Sequence, residues 1–202
     1  VIGGKFTDPE KYINCQNSGT TARLLTGLLA GKKINAKLIG DESLSKRPME
    51  RIVAPLSKMG LNIKINNGKL PISIKNSRIK GIDYKNTISS AQVKSAVLFC
   101  GLGAEDITSY YEPLKSRNHT EIMLENVGVD IEHSDGKIIL RNSDSLAKGL
   151  NITIPGDPST ASFFATAALI LPKSELILEN ILANPTRFGF FDAVVRMGAN
   201  IE

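Results

Sequence analysis

The 202-residue chain carries one stretch more than once, and that repetition limits what it can fold into. KMGLNIKINNGKLPISI at residues 58–74 and NVGVDIEHSDGKIIL at 126–140 follow the same plan. In each, a glycine ends a helical stretch, an alternating strand follows, and Asn-Gly-Lys or Asp-Gly-Lys leads into a second strand. Gly60 and Gly128 are 68 positions apart, as are Gly68 and Gly136, and a partial third copy, RMGANIE, places Gly198 a further 70 on. Asn-Gly and Asp-Gly supply the positive φ of a two-residue hairpin turn, so each copy ends in a β-hairpin.

Upstream of each hairpin lies an apolar helix opened by small polar residues: NSGTTARLLTGLLAG, SSAQVKSAVLFCGLG and DPSTASFFATAALIL. A strand follows (INAKLIG, DITSYYE, SELILEN), then a second helix (MERIVAPLSKMG, HTEIMLENVG, FFDAVVRMGA), and a lead strand precedes the later copies (YKNTI, LNITI). Apolar residues at helical spacing, such as Ile52, Leu56 and Met59, support the helix assignments. The pattern predicts an α/β fold of repeated βαβαββ units. Pro155-Gly156-Asp157-Pro158 is the strongest turn-and-breaker cluster, and it sets a crossover between two lobes. Residues 1–154 are expected to form two units of one lobe, and residues 155–202 an incomplete unit of the second.

Composition narrows the class. A net charge of +5 fits a nucleic-acid surface or a pocket for small anions equally well, but aromatic residues make up only 5% and Trp is absent. Single-strand binding relies on aromatic stacking platforms, so nucleic acid is not an expected partner. Two cysteines, Cys15 and Cys100, lie outside any CxxC spacing and are expected in the core, which points to a reducing cytoplasm. His119 and His133 are too few for a zinc site, and no metal is expected. No signal peptide or membrane-length apolar segment is visible, so no membrane partner is expected. The chain begins VIGGKF without Met and ends NIE, and both ends read as cuts.

The polar helix starts are the candidate sites. Ser18, Thr20 and Thr21 crowd one start, and Ser89, Ser90 and Gln92 another. A single residue suffices to cap a helix, and free N–H groups at a helix start seat phosphate or carboxylate. Gly19 allows close approach to the backbone. GDESLSKRPMER adds Lys46, Arg47 and Arg51 in a loop ahead of the second helix, with Pro48 expected in its first turn. An arginine beside a rigid proline suits bidentate clamping of an oxyanion. LKSRNHTE, with Ser116 and Arg117, and NPTRFG, with Arg187, occupy the matching places in the other copies.

Taken together, NSGTTAR, GDESLSKRPM, SSAQVKSA, SRNHTE and GDPSTASFF resemble the successive motifs of the 5-enolpyruvylshikimate-3-phosphate synthase family, in order and spacing. The resemblance implies the inside-out α/β barrel of the enolpyruvyl transferases. It also implies transfer of an enolpyruvyl group from phosphoenolpyruvate to the 5-hydroxyl of shikimate 3-phosphate, with phosphate released. No metal or organic cofactor is implied, and the full-length enzyme is expected to be a cytoplasmic monomer. By the same resemblance Ser90, Ala91, Gln92, Ser116 and Arg117 hold shikimate 3-phosphate. Ala91 stands where other members have serine, which implies a backbone contact. Gly19, Arg47 and Gln92 contact phosphoenolpyruvate, with Asn17 and Arg23 shaping that region. The lysine-containing N-terminal motif, the acid/base carboxylates and the later Arg and Lys clamps are expected outside this chain, so no catalytic residue is assigned within it. The expectation is an internal fragment without turnover. Two other readings share parts of the pattern. RNA 3′-phosphate cyclases resemble the βαβαββ unit, although their histidine motif is not seen here. A noncatalytic repeat module would use the polar helix starts as caps alone.

Overall fold

The computed structural model describes residues 4–134, 136–141 and 149–202. The chain divides into two compact units, Val1–Lys148 and Gly149–Glu202. This division falls before the Pro155–Pro158 cluster at which the sequence sets its crossover.

The first unit contains two copies of one topology. The first is β1 (Ile13–Asn14), α1 (Gly19–Gly31), β2 (Ala36–Ile39), a one-turn α2 (Glu42–Ser45), α3 (Glu50–Lys58), β3 (Asn62–Asn66) and β4 (Lys69–Lys75). The second is β5 (Asp83–Lys85), α4 (Ala91–Gly101), β6 (Thr108–Tyr111), α5 (His119–Asn126), β7 (Ile131–Ser134) and β8 (Lys137–Leu140). Each makes a four-stranded sheet of identical order, β1-β2-β4-β3 and β5-β6-β8-β7. The lead strand is parallel to its neighbour in both, and the hairpin strands are antiparallel. The repeated glycines do equivalent work. Gly60, Gly128 and Gly198 follow helix ends at φ of 92°, 86° and 97°, the left-handed conformation that closes a helix. Asn67 and Gly68 both have positive φ in the first hairpin turn. Asp135, half of the second turn, lies outside the described residues.

Three local expectations need correction. Pro48 does not open the second helix, because the Met49 N–H is bonded to the Gly68 carbonyl at 2.8 Å and Met49 becomes the cap, so α3 starts at Glu50. Arg51 accordingly lies in the first turn of α3 and not in the preceding loop, where α2 sits instead. In the second unit LNITI and SELILEN do not form strands. That unit contains α6 (Pro158–Ile170), a 3-10 turn (Pro185–Arg187) and α7 (Gly189–Arg196). Its lead segments meet only in an isolated parallel bridge, Gly156 with Ile181. Elsewhere the hairpin strand flanks the central strand and extends its ladder, and no such hairpin is present among the described residues here. A parallel backbone bond is common to all three nonetheless: Cys15, Asn86 and Gly156 donate to Ile39, Tyr111 and Asn180 at 2.8, 2.9 and 2.7 Å.

The core of the first unit lies between the helices and both sheets. Ile52, Leu56 and Met59 of the α3 stretch are fully buried, as the helical spacing predicts, and Leu38, Ile72, Ile74, Tyr110 and Leu140 face them from the sheets. Cys15 and Cys100 are free and buried. Helix α4 is buried nearly all round and packs along α1. That contact is backbone against backbone. A Cβ on Gly27 would lie 2.1 Å from the Ala96 carbonyl oxygen, and one on Gly31 would lie 2.6 Å from that of Phe99. A Cβ on Gly103 would likewise run into the Gly31 carbonyl. Contacts advance in the same direction along both helices, so α1 and α4 run parallel and begin at the same edge. Gly27→Ala is expected to lower stability by about 1–3 kcal/mol through overpacking, even though alanine favours an isolated helix by about 1 kcal/mol. Urea unfolding of the variant measures the net sign.

Candidate anion-binding site

Two helix starts meet at that edge. Ser18 caps α1, its Oγ accepting from the Thr21 N–H at 3.1 Å and the Thr21 hydroxyl at 2.7 Å. Gly19, the first residue of α1, is buried beneath two guanidinium groups. A Cβ there would approach Arg23 Nη1 to 2.8 Å and Arg47 Nη1 to 3.6 Å. Arg23 projects from α1 and donates to Gln92 Oε1 at 2.7 Å and to the Pro48 carbonyl at 3.0 Å. Gln92, in the first turn of α4, donates in turn to Thr20 Oγ1 at 2.8 Å. One amide therefore links both helix starts.

Arg47 reaches the same place from the loop after α2. Its Nη2 donates to Asn17 Oδ1 at 3.0 Å, and Asn17 Nδ2 donates to Asp41 Oδ2 at 2.8 Å. Asp41 caps α2 through the Leu44 N–H at 2.7 Å. That hydrogen bond, with the one from Asn17, holds the Asp41 carboxyl below its ordinary range. Partial burial pulls the Arg23 guanidinium below its ordinary value, and the nearby charges of Arg47 and Arg51 add to the effect. Two guanidinium groups thus stand over the α1 start, with the charge of Arg51 near enough to be felt, an arrangement of positive charge that suits an anion.

The α4 start is held from the other side. Ser90 is the N-cap, with a long 3.5 Å contact from the Val93 N–H. Ser89 Oγ accepts from the Leu114 N–H at 2.9 Å and so fastens the loop between β6 and α5. Ala91, Gln92 and Arg117 line a cavity of about 150 Å³ with Thr20, Leu24, Ser95, His119 and Thr120. The Arg117 guanidinium is exposed there. Ser116 lies just outside the cavity lining. Its N–H donates to Glu112 Oε1 at 2.8 Å, and its hydroxyl donates to Glu112 Oε2 at 2.7 Å.

The structure therefore brings Asn17, Gly19, Arg23 and Arg47 together and joins them to Gln92. It places Ala91, Gln92 and Arg117 around one cavity. Ser90 and Ser116 border this region without entering it. Several participants escape a reading by motif. Thr20 stands out in the sequence only as one of a polar crowd. Lys94, a lysine amid the apolar face of α4, was an available signal for a buried ion pair with Glu112 and Glu121. In the second unit Asp157 caps α6 through the Thr160 N–H at 3.2 Å and pairs with Arg187, which also donates to Ser159 Oγ at 2.7 Å. Burial raises the Asp157 pKa, but backbone hydrogen bonds and the Arg187 charge outweigh it and leave the carboxyl below its ordinary range. An aspartate directly before Pro-Ser-Thr at a helix start was its sequence signal.

The repeated βαβαββ frame is that of the enolpyruvyl-transferase fold. The model of the EPSP synthase (3-phosphoshikimate 1-carboxyvinyltransferase) family matches residues 1–202, and the chain belongs to that family. It is 48% identical over 203 residues to a 3-phosphoshikimate 1-carboxyvinyltransferase of Endomicrobium trichonymphae, covering 98% of this chain and 47% of that protein. The Bacillus subtilis protein of the same name is 43% identical over 208 residues, covering 100% and 48%. The solved EPSP synthase of Acinetobacter baumannii superposes with a TM-score of 0.83 at 43% identity, covering 95% of this chain and 44% of that one. The chain spans about half the length of the curated relatives it matches. Among the described residues, no helix is long and apolar enough to cross a membrane.

If the Arg23–Arg47 crowd seats an anion, inorganic phosphate at a hundredfold its Kd will stabilise the chain by about 2.7 kcal/mol. Arg47→Ala, a change at an exposed side chain, is expected to remove most of that gain while leaving the phosphate-free unfolding midpoint nearly unchanged. Thermal unfolding with and without phosphate measures both.

Proposed function

We propose that this chain belongs to an enzyme that transfers the enolpyruvyl group of phosphoenolpyruvate to the 5-hydroxyl of shikimate 3-phosphate and releases phosphate. The observation that carries the reading is the pairing of two helix starts through Gln92, with Arg23 and Arg47 above one of them. Both substrates carry a carboxylate and a phosphate, so a site for them must offer several cationic and N–H groups side by side. Holding two such anions in contact is itself a large part of catalysis, because it converts a bimolecular encounter into an oriented one.

In this reading Gly19, Arg47 and Gln92 contact phosphoenolpyruvate, and Asn17 and Arg23 shape that region. Asn17 orients Arg47, and Arg23 fixes Gln92. Ser90, Ala91, Gln92, Ser116 and Arg117 hold shikimate 3-phosphate. Arg117 is the free cation of that group among the described residues, and Gln92 belongs to both sets because it sits between them. Residues 1–154 and 155–202 are parts of two lobes that join near Gly156. Small-molecule anions are the partners, with no nucleic acid, metal or organic cofactor. The free, buried Cys15 and Cys100 support a cytoplasmic location, and the full-length enzyme acts as a monomer.

Calorimetric titration and a phosphate-release assay test the reading together. The chain alone is expected to bind shikimate 3-phosphate weakly and to release no phosphate with both substrates present. Absence of binding would contradict the assignment of Ser90, Gln92, Ser116 and Arg117. In the full-length protein, Arg47→Lys is expected to weaken phosphoenolpyruvate binding roughly tenfold by replacing a fork with a point charge. Shikimate 3-phosphate binding should change little, and Ser116→Ala should show the opposite preference. Equal effects of both changes on both ligands would contradict the division of the site.

A further inference from the structure

Lys94 lies on the buried side of α4 and is 1% exposed. An unpaired ammonium there would be costly, and two carboxylates meet it. Its Nζ is 2.8 Å from Glu112 Oε1 and 2.8 Å from Glu121 Oε1. Glu112 directly follows β6, and Glu121 stands in the first turn of α5. One ammonium thus ties the helix that carries Gln92 to both ends of the loop that carries Ser116 and Arg117.

The two carboxylates differ in what else they touch. Glu112 receives the Ser116 N–H at 2.8 Å on Oε1 and the Ser116 hydroxyl at 2.7 Å on Oε2 and 3.0 Å on Oε1. Lys94 Nζ also reaches the Ser116 carbonyl, at 3.5 Å. Glu121 Oε1 meets Lys94, and its buried Oε2 has no partner among the described residues. The Ser116 N–H has no backbone acceptor among the described residues, so the carboxylate is what holds this residue within a largely exposed loop. Ser89, which holds Leu114, secures only the earlier part.

We propose that Glu112, fixed by Lys94, is a positioning residue for shikimate 3-phosphate. It sets the 113–118 loop against the start of α4, and so places Ser116 and Arg117 beside Ala91 and Gln92. The inference rests on the functional reading above. It differs from a purely structural ion pair in one respect. A pair that only completes the core would make Glu112 and Glu121 equivalent, since both neutralise the same ammonium. A positioning role makes them unequal, because only Glu112 touches Ser116.

Glu112→Gln and Glu121→Gln separate these cases, each removing one charge without changing shape. The readouts are amide hydrogen exchange of Ser116 by NMR and calorimetric titration with shikimate 3-phosphate. Glu112→Gln is expected to speed Ser116 exchange and raise the Kd, each roughly tenfold, from loss of hydrogen bonds to a charged acceptor. Glu121→Gln should leave both within about twofold, even where it lowers the unfolding midpoint as much. Equal changes in the two variants would overturn the inference while leaving the functional reading intact. No binding by the unmodified chain would overturn the functional reading and this inference with it. Should Glu112→Gln fail to fold, the unmodified chain still decides. A Ser116 amide that is protected and shifted downfield supports the contact, and one exchanging at the rate of a free loop overturns it.

Discussion

The approach of α1 to α4 is the constraint on which the rest depends. Gly27 lies against the Ala96 carbonyl and Gly31 against that of Phe99, closer than any side chain would permit. Parallel helices packed this tightly present their first turns at one edge of the unit. The unpaired N–H groups and positive dipole ends of the two then add in one place. Gln92 spans the gap between them, touching Thr20 on one helix start and Arg23 in the next turn. A wider crossing would leave two ordinary capped helices and no shared site.

Charge is handled in two different ways within the same unit. At the helix starts, Arg23 and Arg47 are held by neutral acceptors: the Gln92 amide, the Pro48 carbonyl and the Asn17 amide. Such partners fix the guanidinium groups without pairing them directly with a carboxylate, which leaves most of their charge open to an anion in the proposed reading. Asp41 stands one residue behind, bonded to Asn17. Lys94, by contrast, is met directly by two carboxylates and has no charge to offer a ligand. The first arrangement suits binding and the second suits holding elements in place. Glu112 connects them, since it neutralises Lys94 and orders Ser116 at once.

Much of this was readable in the sequence because glycines mark the repeat so firmly. The equal spacing of Gly60, Gly68, Gly128 and Gly136 corresponds to equal backbone conformations and to two sheets of one order. The helix around Ile52, Leu56 and Met59 was visible from its spacing for the same local reason. What escaped was tertiary. Residues 150–154 and 174–180 have strand-like composition, but a ladder needs a flanking partner as well as composition. Pro48 has the right chemistry for a helix start, yet a hydrogen bond from Met49 to Gly68, far along the chain, moves that start to Glu50. The motifs named Gly19, Arg47 and Gln92 but not the contacts among them, because Gln92 meets Arg23 across 69 positions. The loop around Ser116 is visible as a motif, while its hydrogen bonds to Glu112 form only in the folded loop.

The central claim is that the two helix starts act as one anion site. Amide chemical-shift mapping during titration with shikimate 3-phosphate tests it most directly. The account predicts that Gly19, Ala91 and Gln92 shift together along a single binding curve, with Thr20 and Arg117 following and β3 unmoved. Shifts confined to one helix start, or two curves with different midpoints, would contradict it.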